Sequence, residues 1–370
     1  MTGGGTGGHV YPALAIAETL AERYADLDVL FVGRREGLEA TLVPRAGLAL
    51  AFVESRPLER NHPLAFPATL AANARGIVQA TRIVRHFRPD LVVATGGYVA
   101  FPVALGARLA AAGAPSALLE PNAVAGLANR LLAPFVDEVW LGTDATPVGC
   151  KSVRTGIPVR RSITRPLEPQ AARRALGLDP ERTTIVVMGG SQGARRLNEA
   201  ARALEPVAAA RGWQIFAIVG AGGASPASAS ASAAGGALRE IAYLDDPALA
   251  YAAADLVVAR AGASTLAELE ATGSPSLLVP YPHATADHQT RNALRRAATG
   301  AARVVPDAEL DGPRLARELQ AALDPAALAA LRAGARRSGG GDARAAIAER
   351  VAALLATRGK RVARTNEGRP

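Results

Sequence analysis

The chain has 370 residues, 49% of them hydrophobic and only 4% aromatic, with a net charge of +9 and a pI near 10.5. That length suits two domains. No apolar run reaches the ~20 residues needed to cross a bilayer, no basic segment leads into an apolar stretch as in a signal peptide, and Cys150, the single cysteine, rules out an internal disulfide. The positive charge is almost all arginine, with Lys151 and Lys360 the only lysines. Such a surface suits nucleic acid, anionic lipid or phosphorylated ligands, and the scarcity of aromatics for base stacking ranks nucleic acid last.

Residues 3–9 read GGGTGGH. Gly3, Gly5 and Gly8 match the spacing of a dinucleotide-binding turn, but the context fits poorly. No strand of useful length precedes the turn, and the strand expected over 27–33 ends in Arg34-Arg35 rather than an acidic residue. An NADP phosphate on those arginines stays an alternative. The first strand of a doubly wound domain therefore looks absent, which leads us to expect an incomplete N-terminus and a less stable first domain. A helix is expected over 12–24. Another, over 69–88, places Leu70, Ile77, Ile83, Val84 and Phe87 against Arg75, Arg82, Arg85 and Arg88. It suits either packing on a sheet or lying on an anionic bilayer. A strand over 91–95 leads to a second glycine turn, Gly96-Gly97-Tyr98, and then a helix over 103–111. A strand over 117–119 ends in Glu120-Pro121-Asn122, followed by a helix over 126–132. After a strand over 138–141, the proline and glycine in 153–161 mark a hinge.

The second half restarts the pattern. A helix over 169–176 precedes a strand over 183–188 and a third glycine turn, 189–196 (GGSQGARR), then a helix over 197–210 and a strand over 214–219. Residues 221–237 are rich in Ala, Ser and Gly and read as a surface loop. A short strand over 241–244 and a helix over 248–254 lead to the buried strand 256–259. Thr265 reads there as an N-cap, with Glu268 as its capping-box partner or as a sugar contact. The amides at such a helix start attract an anion. After a strand over 275–280, residues 281–293 read as a polar loop holding His283, Asp287, His288 and Gln289, either as plain surface residues or as ligands at a strand end. A last helix covers 343–356, and the tail from 357 is basic. The duplicated halves point to an α/β chain of two doubly wound domains facing a cleft, 1–158 and 159–342, with the helix 343–356 returning to the first. No GxxxxGK[ST], HExxH or CxxC motif occurs, which disfavours P-loop NTPase and zinc hydrolase chemistry.

Six stretches together resemble the MurG family of peptidoglycan glycosyltransferases: 4–12 (GGTGGHVYP), 96–102 (GGYVAFP), 122–129 (NAVAGLAN), 189–198 (GGSQGARRLN), 259–268 (ARAGASTLAE) and 279–292 (VPYPHATADHQTRN). The resemblance implies a GT-B fold of two Rossmann-like domains and an inverting, metal-free transfer without a cofactor. It implies a peripheral location at the cytoplasmic membrane face. The donor would be UDP-N-acetylglucosamine and the acceptor lipid I, the undecaprenyl-diphosphoryl-MurNAc-pentapeptide, with an anionic membrane surface as partner and no nucleic acid. Carried over, Thr6, Gly7 and Gly8 reach the donor, and Asn122 lies near the sugar. Arg160 is the family's arginine beside the donor, with Ser191 and Gln192 on the phosphate side. Leu244 reads uracil through its backbone. Ala263, Ser264, Thr265, Leu266, Ala267 and Glu268 hold diphosphate and ribose, and Gln289 with His288 contacts sugar hydroxyls. The turn Gly96-Gly97-Tyr98 suits the acceptor diphosphate, or is simply a tight turn. His9 is the candidate general base, with acceptor positioning as its other role. The chain departs from the family pattern at Leu119, Pro121 and Ile157. Rival readings are a GT-B enzyme for another lipid acceptor, an NADP oxidoreductase, and a UDP-sugar-binding module without turnover.

Overall fold

The computed structural model describes residues 1–57, 66–110, 113–143, 151–190, 194–220, 236–338 and 341–357, without the side chain of Thr285. Ser191, Gln192, the loop 221–235, Cys150 and the tail beyond 357 lie outside the described residues. The chain divides into two units, 1–160 with 341–370, and 161–340.

In the first unit β1 (Leu30–Gly33) pairs with β2 (Ala49–Phe52), and β3 (Val92–Ala94), β4 (Ser116–Glu120), β5 (Glu138–Leu141) and β6 (Ser152–Arg154) pair in that order, all parallel. The start of the expected hinge is thus strand β6. The two groups are joined through Thr2, which bridges Val32 on one side and Ala94 on the other. Its N–H donates to Val93 O (2.9 Å), its carbonyl accepts from Thr95 N–H (2.8 Å), and its hydroxyl donates to Val32 O (2.9 Å). The first strand looked absent from the sequence; its position in the sheet is nonetheless held, by Thr2 bonded through its backbone to β3 and through its hydroxyl to β1, with Met1 O accepting Val32 N–H (2.9 Å). Counting Thr2 as the first strand gives the doubly wound order 3-2-1-4-5-6 with one further strand at the edge.

The helix expected over 12–24 begins five residues earlier, as Gly7–Arg23, so the second half of the glycine run is its first turn. Burial of Val10, Ala13, Leu14, Ile16 and Ala17 outweighs the local cost of two glycines and Pro12. The basic helix, Phe66–Phe87, buries Thr69, Ala72, Gly76, Ala80 and Val84 and half-buries Ile77, Ile83 and Phe87, while Leu70 is 60% exposed. Small residues win because the next helix, Ala100–Leu109, comes very close. A Cβ at Gly106 would lie 2.7 Å from that of Ala80, and one at Gly76 would lie 2.0 Å from Glu54 O. The C-terminal helix, Ala343–Ala356, is capped by Asp342, which accepts from Arg344 N–H and Ala345 N–H. Its Ile347, Val351, Leu354 and Leu355 pack with Ile16, Leu20, Tyr24, Leu119 and Trp140. Beneath it the buried carboxylate of Glu138 takes bonds from Arg350 and from Trp140 Nε1 (3.2 Å) and pairs with Lys151 (3.4 Å).

The second unit is one six-stranded parallel sheet in the order β12-β11-β10-β7-β8-β9, where β7 is Thr184–Met188, β8 Gln214–Ile218, β9 Leu238–Ile241, β10 Leu256–Ala259, β11 Ser276–Leu278 and β12 Ala302–Val304. Renumbered within the unit, this is again 3-2-1-4-5-6. The strand expected over 241–244 is β9, ending where the expectation began. The helix expected over 197–210 is two, Arg195–Ala203 and Glu205–Ala210, because Pro206 suits a new first turn and not a helix interior. In each sheet the order reverses beside its first strand, so the ligand-binding end lies after Thr2 and β3 in one unit and after β7 and β10 in the other.

Candidate active site

In the first unit the two glycine turns interlock. A Cβ on Gly97 would stand 2.2 Å from Gly4 O, one on Gly3 1.9 Å from Thr95 Oγ1, and one on Gly5 2.9 Å from the Tyr98 ring. Gly5, Gly96 and Gly97 also have φ between 81° and 96°. The glycines are therefore explained by turn packing on turn, not by the approach of a dinucleotide. Thr6 ends the first turn in an extended conformation without a side-chain cap, and Gly7 and Gly8 follow as helix. One turn in, His9 Nδ1 lies 2.7 Å from Thr95 O, and Thr95 Oγ1 donates back to His9 O (2.7 Å). A carbonyl only accepts, so in the neutral ring Nδ1 carries the proton and Nε2 the lone pair.

The stretch after β4 is organised by Glu120, which sequence reading passed over. Buried, it accepts from Asn122 N–H (2.9 Å) and Nδ2 (3.2 Å) through one oxygen, and from Gly126 N–H (3.0 Å) and Asn129 Nδ2 (2.8 Å) through the other. Asn122 is thus held by a carboxylate two residues before it. Asn129 Oδ1 is buried without a partner and faces Gly96. Arg160 lies over the Tyr11 ring (4.7 Å) with its Nε buried and unpaired. Tyr98 receives a hydrogen bond from Arg34, whose guanidinium sits 5.0 Å from the ring centre.

In the second unit the helix after β10 is Ala263–Ala271, with Gly262 as N-cap (φ −67°, ψ 144°) and no side-chain cap. The capping box expected at Thr265 and Glu268 does not form, because the helix starts two residues before Thr265. The first intrahelical bond is Leu266 N–H to Gly262 O (2.9 Å), so the amides ahead of it have no carbonyl partner inside the helix. A helix start of this kind suits an anion; the residues here are Ala263, Ser264 and Thr265, followed by Leu266 and Ala267. Glu268 instead accepts from the buried Tyr251 hydroxyl (2.7 Å). At the far end of this helix the buried Arg296 donates to Leu269 O (3.2 Å) and Ser274 O (2.8 Å). Burial pushes its pKa down to about 10, leaving it charged at neutral pH and complementary to the helix C-terminus.

The polar stretch expected as a loop over 281–293 becomes helix from residue 288, His288–Ala298, entered through two left-handed residues, Ala286 (φ 53°) and Asp287 (φ 51°). Thr290 Oγ1 donates to Asp287 Oδ1 (2.7 Å) and fixes that entry. His288 and Gln289 are the first helical residues. Gln289 Oε1 accepts from Tyr281 N–H (3.0 Å), which leaves the amide group of Gln289 as a donor. Asn292 Nδ2 donates to Ala261 O (3.2 Å), tying this helix to the turn after β10. Arg260 donates to Val279 O, Pro280 O and Asp307 and locks the ends of β10 and β11 together. Asn292 and Arg260 both lie inside motifs the sequence displays, but their partners are 19 to 47 residues away and carry no local signal. Leu244 follows β9, its side chain packed against the core that holds Phe216 and Leu176. Among the described residues no group of three or more His, Cys, Asp or Glu is placed to hold a metal, and no helix is long and apolar enough to cross a membrane.

Comparison with known proteins agrees across both units. The N-terminal domain of glycosyltransferase family 28 matches residues 1–141 and its C-terminal domain residues 184–349. A Moorella thermoacetica protein named UDP-N-acetylglucosamine--N-acetylmuramyl-(pentapeptide) pyrophosphoryl-undecaprenol N-acetylglucosamine transferase is 44% identical over 326 residues, 85% of this chain and 87% of that one. A Nitratidesulfovibrio vulgaris protein of the same name is 40% identical over an alignment of 377 residues, 98% of each chain. The crystal structure of Acinetobacter baumannii MurG superposes with a TM-score of 0.71 at 27% identity, covering 96% of this chain and 98% of that one. The fold is GT-B, and with both of the family's domains matched in order, the chain belongs to glycosyltransferase family 28.

Proposed function

We propose that this chain transfers N-acetylglucosamine from UDP-N-acetylglucosamine to the MurNAc 4-hydroxyl of lipid I, with inversion, giving lipid II in peptidoglycan synthesis. The observation that carries it is the 40% identity, over 98% of each chain, to a relative named for this transfer. The helix start at Ala263–Ala271 offers its first amides to the donor diphosphate, with Glu268 on ribose and the backbone at Leu244 on uracil. Gln289, its oxygen engaged by Tyr281 N–H, offers its NH2 to a sugar oxygen together with His288, and Asn122 is assigned to the sugar. Ser191 and Gln192 complete the phosphate side. Thr6, Gly7 and Gly8 line the reacting centre, and Gly96, Gly97 and Tyr98 take the acceptor diphosphate.

The acceptor O4 attacks the anomeric carbon as the bond from that carbon to the β-phosphate oxygen breaks. The hydroxyl proton passes to His9 Nε2, and UDP leaves. Its growing charge is met by the helix amides and by the Arg160 guanidinium. The test is UDP release from UDP-N-acetylglucosamine with and without a soluble lipid I analogue, in EDTA. Release that requires the analogue is expected; release without it, or none with it while UDP binds, would overturn the acceptor assignment.

The same reading places the protein peripherally at the cytoplasmic face of the membrane. The helices Phe66–Phe87, Ala100–Leu109 and Leu127–Leu132 pack in succession. They leave Phe66, Leu70, Val78, Leu109 and Leu131 exposed among Arg82, Arg85, Arg88 and Arg130. Cosedimentation with anionic vesicles is expected, and Leu70→Glu should weaken it about tenfold or more, one buried leucine being worth about 1.5–3 kcal/mol. Unchanged binding by that variant would remove this face from the membrane contact.

A further inference from the structure

Glu39 opens the helix Glu39–Arg45 and is completely buried. Its carboxyl group has no cationic partner among the described residues. The bonds it accepts come from two backbone amides, Gly5 N–H to Oε2 (3.4 Å) and Arg34 N–H to Oε1 (3.0 Å). Three separate stretches give up their side chains to make room for it. A Cβ on Gly4, Gly33 or Gly37 would come within 2.4, 2.4 or 2.2 Å of Glu39 atoms. A carboxyl group removed from water with no counter-charge is costly, and an apolar residue in the same space would be more stable. Stability therefore does not account for it.

Its connections do. Gly5 belongs to the first glycine turn, four residues before His9. Arg34 follows β1, and its guanidinium donates to the Tyr98 hydroxyl in the second glycine turn. Gly5 itself packs against the Tyr98 ring. One carboxyl group thus closes a circuit, Gly5–Glu39–Arg34–Tyr98, linking the two turns from behind.

We propose that Glu39 is a positioning residue for the transfer, setting the first glycine turn against Tyr98 and thereby the placing of His9 and of the acceptor. This rests on the assignment of those turns to the acceptor. Glutamine at position 39 keeps the shape but turns an amide donor toward one of the two backbone N–H groups, so the circuit opens without leaving a hole.

The experiment compares full-length wild-type protein with Glu39→Gln, Tyr98→Phe and the double variant. Measurements are kcat/KM for the soluble acceptor analogue, UDP affinity by calorimetry, and the folded fraction at the assay temperature. Glu39→Gln is expected to lose on the order of 10–100-fold in acceptor kcat/KM. UDP affinity should stay within about twofold, and the double variant should lose little more than the worse single one. A loss below about twofold, losses that multiply in the double variant, or a loss matched by a lower folded fraction would overturn the proposal. If the wild-type protein binds UDP but does not use the acceptor, the acceptor assignment fails and a separate readout decides on Glu39. The His9 ring signal in the proton–carbon spectrum, identified with His9→Gln, must then shift in Glu39→Gln; an unchanged signal overturns the positioning role.

Discussion

His9→Gln is expected to lower kcat by about two to four orders of magnitude, the usual worth of a general base, with UDP affinity unchanged. The expectation follows from one contact. Thr95 O accepts the ring proton at Nδ1 (2.7 Å), which assigns the lone pair to Nε2 and fixes the ring plane. Thr95 in turn is held by Thr2 through its own N–H, so the His9 ring is referenced to the middle of the sheet. Glutamine can still donate to Thr95 O and so preserve the helix start, but it carries no basic nitrogen. The substitution therefore separates proton transfer from positioning. Steady-state kinetics over pH provide the check: loss of the base removes the acid limb of the kcat/KM profile. Normal turnover in the variant would take His9 out of the mechanism.

The largest stability effect is expected at Glu138→Gln, a loss on the order of 3–5 kcal/mol, typical of breaking one side of a buried ion pair. The Glu138 side chain is 1% exposed and receives Arg350, Trp140 and Lys151 together. Burial alone would raise its pKa; the hydrogen bonds from Arg350 and Trp140 and the Arg350 charge outweigh burial and hold it below the ordinary value of 4.5. A carboxylate depressed in the folded state stabilises fully above the unfolded-state pKa, and that contribution disappears as pH falls through the folded one. Denaturant unfolding should therefore show wild type well ahead of the variant at pH 7, with the gap closing below about pH 4.5 as the carboxylate is protonated in both states. A gap independent of pH would mean that packing, not the ion pair, sets the difference. Because Arg350 lies on the helix Ala343–Ala356, this pair also fastens that helix to β5, which lies in the same unit.

Much of the architecture is readable from local pattern. Strand 256–259 is apolar throughout because both its faces are covered, and the structure places it at the same residues. The last helix is marked by Ile347, Val351, Leu354 and Leu355 at helical spacing and by Asp342 ahead of it. The glycine turns announce themselves because only glycine fits where one backbone presses on another, as at Gly97 against Gly4.

What the sequence could not decide depends on partners distant along the chain. A single threonine serves as a strand because β1 and β3 are both present to pair with it; by itself Thr2 has no propensity to display. Glu268 is a good capping residue by spacing, yet Tyr251 claims it, and the helix starts early because Gly262 supplies the extended cap. The basic helix buries its small residues because its neighbour approaches too closely for large ones, and no periodicity within the helix reveals that distance. Glu39 and Glu120 look like ordinary surface acids until the fold encloses them. The sequence alone thus determined two doubly wound units and the motifs that line their strand ends. The tertiary structure decided which buried carboxyl groups hold those motifs, because a hydrogen bond across 34 or 86 residues leaves no trace in the composition on either side of it.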